Sequence, residues 1–142
     1  MKLLLLPALV ACSLLLAACS SVNTRTVVDL AAFKRIYVVH RLSDDHHIDE
    51  LLVAELKQLG HEASSGPLTL LPENADAVLT YEDRWVWDFK TYLIELNVEL
   101  HTARTDKKLA AGHYYAPSPK SRPPADIVHD LIGSLLKTKP ST

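Results

Sequence analysis

Residues 75–104 constrain the fold more than any other stretch of the chain, because their side chains alternate with a period of two on both sides of a turn. Ala77, Leu79, Tyr81, Asp83, Trp85 and Trp87 share one face of a strand, and Val78, Thr80, Glu82, Arg84 and Val86 share the other. In the strand that follows, Tyr92, Ile94, Leu96, Val98 and Leu100 oppose Leu93, Glu95, Asn97, Glu99 and His101. Pairing Trp87 with Tyr92 brings Trp85 to Ile94, Tyr81 to Val98 and Leu79 to Leu100, and sets Arg84 opposite Glu95. One face of this antiparallel pair is then apolar and the other polar, and a slip of one residue would invert every side chain. Two features disagree with the simplest version. Phe89-Lys90 is poor chemistry for a two-residue hairpin turn, so a longer loop is expected. Asp83 falls on the apolar face, where it needs partners.

The flanking segments supply the rest of a domain. Residues 34–39, apolar on both faces, read as a central strand. Ser43, Asp44 and Asp45 are capping candidates for a helix with Ile48, Leu51, Leu52, Leu56 and Leu59 on one stripe, and Gly60 stands where a left-handed cap ends it. Residues 61–65 suit a short strand. Residues 109–115 suit another, with either Leu109, Ala111, His113 and Tyr115 or Ala110, Gly112 and Tyr114 facing inward. Pro123 or Pro124 opens a second helix whose apolar face is Ile127, Val128, Leu131, Ile132 and Leu135. Helices with one apolar stripe pack on a sheet with one apolar face. The expected fold is α+β, a two-layer α/β sandwich in which two helices cover one face of a mostly antiparallel sheet of four to five strands. It spans residues 33–139.

The N-terminus has a different character. Lys2 precedes an apolar run over residues 3–18 that closes on small residues, the layout of a secretory signal. Leu16-Ala17-Ala18-Cys19 resembles the lipobox of bacterial lipoproteins. That resemblance implies cleavage between Ala18 and Cys19, a diacylglycerol on the Cys19 thiol and an acyl group on the new amine. Residues 1–18 are then the signal peptide and residues 19–32, largely polar, a lipidated tether. Cys12 leaves with the signal, so no thiol is left for a disulfide or for catalysis. The chain that remains is one domain long, and its small negative charge gives no footprint for nucleic acid. Ser20 after the cysteine, under the sorting rule familiar for such lipoproteins, points to the periplasmic side of the outer membrane, or to the plasma membrane in a source with a single membrane.

Chemistry-bearing patterns are sparse. None of the four glycines forms a phosphate loop or a nucleophile elbow. Glu82 and Asp83 point to opposite faces and cannot act as a pair. His40, Asp44, Asp45, His46, His47 and Glu50 invite a metal reading, but they lie in a solvated first turn without three or four convergent ligands, so no metal is expected. Trp87 and Phe89, near the hairpin end, are candidate contacts for a protein partner or a lipid. Residues 75–88 with residues 92–100 look like a recurring pattern in uncharacterised bacterial lipoproteins. At fold level the chain resembles envelope domains of the TolB N-terminal and lipoprotein-activator type. That resemblance implies a fold and an address, and no catalytic residues. The expected function is that of a non-catalytic accessory or scaffold lipoprotein that binds another envelope protein, with no cofactor beyond the lipid on Cys19. The alternatives are a small-molecule or lipid carrier using the sheet–helix interior, and an enzyme assembled from distant residues.

Overall fold

The computed structural model describes residues 20–117 and 122–137. The signal peptide and the cleavage and lipidation expected at Ala18 and Cys19 lie outside the described residues. The elements are β1 (Ser21–Thr26), β2 (Arg35–Val39), α1 (Ile48–Gln58), β3 (Glu62–Gly66), β4 (Ala77–Asp88), β5 (Lys90–Thr102), β6 (Lys108–Tyr115) and α2 (Pro124–Lys137). They build one sheet in the order β1-β6-β5-β4-β2-β3, with β2 parallel to both β3 and β4 and the other pairs antiparallel.

The layers match the expectation, and the strand count exceeds it. Both helices lie on one face, where Ile48, Leu52 and Leu56 of α1 and Ile127, Leu131 and Leu135 of α2 meet Ile36, Val38, Leu79, Leu96, Val98 and Leu100 in one core. The sixth strand comes from the segment read as a tether. Residues 21–26 are the edge strand β1, paired with β6 from Ser21↔Tyr115 to Thr26↔Ala110. Polar side chains suit an edge strand, since backbone bonding holds it and only its inner residues, such as buried Thr26, need to pack. The parallel pairs follow from β2, which is buried on both faces: Ile36 and Val38 lie under α1, and the Tyr37 hydroxyl on the other side donates to the Pro67 carbonyl at 3.0 Å.

The ambiguity at β6 resolves through a bulge. Leu100 pairs with Ala110 but His101 pairs with Lys108, so Leu109 is the extra residue and is buried along with Ala110 and Tyr114. Gly112 faces inward with them, and a Cβ there would stand 3.0 Å from both Leu131 Cδ1 and Val98 Cγ2. The β4–β5 register is as expected from Leu79↔Leu100 to Arg84↔Glu95, and then shifts. Ile94 is skipped, so Trp85 meets Leu93, Val86 meets Tyr92 and Trp87 meets Thr91. The proposed pairs Trp85 with Ile94 and Trp87 with Tyr92 are therefore corrected, and Leu93 takes the buried place assigned to Ile94. The bulge also removes the expected longer loop. Asp88 pairs with Lys90, and Phe89 turns the chain alone with a positive φ of 58°.

Candidate functional site

The end of the sheet at which β4 and β5 turn gathers most of the unusual side chains. Asp44 organises its helix side. The carboxylate accepts from the backbone N–H groups of His46 (2.9 Å), Ile48 (2.7 Å) and Asp49 (3.3 Å) and from the Tyr81 hydroxyl (2.7 Å). It thereby caps α1 from four residues away, with His47 at the cap position in a left-handed conformation. Burial alone would push the Asp44 carboxyl up, but these four donors together hold it below the usual carboxylate range. Burial, and then the Asp44 carboxylate, push the Tyr81 phenol well up.

Asp83 finds the partners its position requires. Arg41 donates to Oδ1 at 2.7 Å and the Trp85 indole donates to Oδ2 at 2.6 Å. His46 stacks on Trp85 with ring centroids 3.7 Å apart and an interplanar angle of 12°. Arg41 and Trp85 were not recognisable from the sequence as one group with Asp83. The only signal was an acid out of phase with its apolar neighbours.

The histidines and acids considered for a metal are dispersed. His40 pairs with Asp49 at 3.2 Å, and His47 approaches Glu50 at 3.4 Å. One triad, Asp44, His46 and Asp83, does hold its ligand atoms within 4.8 Å of one another. Its carboxylate oxygens are all engaged by donors of the chain itself, and the Arg41 guanidinium already supplies a positive charge at Asp83 Oδ1. The arrangement serves to tie the β2–α1 loop to β4.

The face of the sheet away from the helices is polar and open. Arg84 and His113 both bond Glu95, and Lys108 bonds Glu99 at 2.6 Å, so the guanidinium and the ammonium hold those two carboxyls below the usual range. A solvent-open groove of about 790 Å³ runs over this face past Thr80, Glu82, Asn97 and His113. Glu82 lies here while Asp83 turns to Arg41 and Trp85 on the opposite face, so the two are separated as alternation requires.

The hairpin tip is apolar. Trp87 is 73% exposed and Phe89 93%, with ring centroids 6.2 Å apart. Leu42, in the β2–α1 loop at the same end, is 99% exposed. Tyr81 and Trp85 pack into the network below, whereas Trp87 and Phe89 are not members of the core. The two residues singled out as contacts are therefore free to meet something else. Among the described residues no helix is long and apolar enough to cross a membrane.

No protein-family model matches this chain, and no curated protein matches it. Solved structures do. PelC from Paraburkholderia phytofirmans, solved as a dodecamer, superposes with a TM-score of 0.62 at 16% identity, over 83% of this chain and 95% of PelC. A PDZ domain protein from Parabacteroides distasonis gives a TM-score of 0.51 at 11% identity, over 86% of this chain and 37% of that one. TolB from Acinetobacter baumannii reaches 0.48 at 17% identity over 32% of its length, too little to add to the assignment. At these identities the likeness is one of fold, the two-layer α/β arrangement described above.

Proposed function

We propose that this chain is a bacterial lipoprotein, anchored through Cys19 on the periplasmic side of the outer membrane, that acts as a non-catalytic scaffold by binding another envelope protein. The sheet edges carry this reading. Among the described residues β1 and β3 are the outermost strands of the sheet, and Leu68 and Leu70, just beyond β3, expose large apolar side chains. Such an edge takes up a partner strand, and flanking apolar groups add contact area. The apolar side chains packed between sheet and helices support a scaffold over a carrier that uses the interior. A second reading, self-assembly, draws support from the fold likeness to a protein solved as a dodecamer.

The test is crosslinking in intact cells with photoreactive residues placed along β1 and β3, compared with a Cys19→Ser chain. The scaffold reading expects a covalent adduct with a second envelope protein, and loss of the membrane fraction in Cys19→Ser. Adducts only between copies of the chain would favour self-assembly. No adduct from either edge would overturn both.

A further inference from the structure

The free aromatic tip and the start of β1 lie at one end of the sheet. β1 runs antiparallel to β4, since β1 opposes β6, β6 opposes β5 and β5 opposes β4. Ser21 is level with Arg84 through the ladder Ser21↔Tyr115, Tyr115↔Glu95 and Glu95↔Arg84. Going backwards from Ser21, the chain leaves the sheet in the direction in which β4 advances toward its turn. Cys19 is two residues before Ser21, a reach of at most about 7 Å. Trp87 is three residues beyond Arg84, roughly 10 Å along the strand. Chain length alone thus keeps a lipid on Cys19 close to the end of the sheet that carries Trp87.

Folding does not account for the aromatics there. Phe89 is almost fully exposed in a left-handed conformation that suits glycine or asparagine and disfavours a bulky side chain. Trp87 is mostly exposed one pair before the turn, and Lys90 Nζ lies 5.3 Å from the Tyr92 ring centroid, so a cation rims the aromatic tip. Indole and phenyl rings with a nearby cation partition to the headgroup boundary of a bilayer.

We propose that Trp87 and Phe89, with Leu42 at the same end, form a membrane-interface contact that seats in the bilayer beside the lipid on Cys19. Several acyl chains on Cys19 suffice to hold the protein at the membrane, but they leave its body free to swing, and a second contact restrains it. It also fixes orientation: the sheet stands on the bilayer by its β4–β5 end, with β1 leading directly to the anchor and the open polar face turned sideways. The contact rests on the lipidation proposed above.

The test uses the full chain purified from membranes and reconstituted into vesicles of phosphatidylethanolamine and phosphatidylglycerol, with and without brominated acyl chains. Tryptophan emission of the unaltered chain should fall about twofold with brominated lipid, and Trp87→Phe should abolish most of that fall. Adding Phe89→Trp to Trp87→Phe should restore it. Adding Leu59→Trp instead, at the far end of α1, should not. Equal quenching of the unaltered chain and Trp87→Phe, or quenching of Leu59→Trp, would overturn the contact. Mass spectrometry of the same preparation separates the two claims. Cys19 without lipid overturns the anchor and the contact built on it, whereas a lipidated chain with Trp87 unquenched overturns the contact alone.

Discussion

Asp83 occupies a position that the alternation of β4 reserves for apolar side chains, and it is held there by two donors that come from different parts of the chain. Arg41 arrives from the β2–α1 loop and Trp85 from two residues along the same strand. Removing the acceptor leaves a half-buried guanidinium and an indole N–H unsatisfied. Asp83→Ala should therefore lower stability by about 1–3 kcal/mol, read as a fall in the urea midpoint at unchanged slope. Phe89 presents the opposite case, a residue whose side chain is almost fully exposed and whose backbone is strained. Phe89→Gly should raise stability by about 1 kcal/mol while reducing the quenching of Trp87 by brominated lipid, so the two measurements would move in opposite directions.

At the scale of elements, the bulge between Arg84 and Trp85 sets the properties of the hairpin. It turns Leu93 into the core and shortens the loop to one residue, so the tip projects as a paired ribbon. Trp85 lies below the tip, half-buried against the core and stacked on His46. Trp87 lies on the tip itself. Trp85→Ala should cost about 3 kcal/mol, at the low end for a buried aromatic. Trp87→Ala should stay within about 0.5 kcal/mol. Arg84→Ala, which breaks a surface pair with Glu95, should cost at most about 1 kcal/mol. Thermal or urea melts check the order. A Trp87→Ala chain as unstable as Trp85→Ala would mean that the tip folds back on the core.

For the whole molecule, acid is the informative variable. The carboxyls of Asp44, Asp76, Glu95 and Glu99 all lie below their usual range in the folded protein. Asp76 is held there by the Arg35 guanidinium and by backbone N–H groups of Arg35 and Lys34, which fastens the start of β2 to β4. A carboxyl depressed on folding stabilises the native state above its unfolded value and loses that contribution as pH falls toward the folded one. Stability should be nearly flat from pH 7 to about 5 and fall below about pH 4, near the unfolded carboxyl values. The acidic fall should be shallower in Asp44→Asn, because one of the depressed groups no longer titrates. A midpoint that rises on acidification would contradict this sign.

Much of this protein could be read along one dimension. The two faces of β4 and β5, the stripe of each helix, the Gly60 cap and the layer arrangement follow from periods of 2 and 3.6 in residue type, because burial depends on which way a side chain points. The Trp87 and Phe89 tip was also legible, as aromatics placed past the end of the apolar pattern. What the sequence left open required knowing which segments lie side by side. Residues 21–26 carry no strand pattern of their own and become β1 only because β6 offers a free edge. The skipped Ile94 and the buried Leu109 are register adjustments, set by how three strands fit together and by the space beneath Leu131 and Val98. The joining of Asp44, Tyr81, Arg41, Asp83 and Trp85 depends on the parallel pairing of β2 with β4, a contact between residues about 40 apart in the chain that no local pattern encodes.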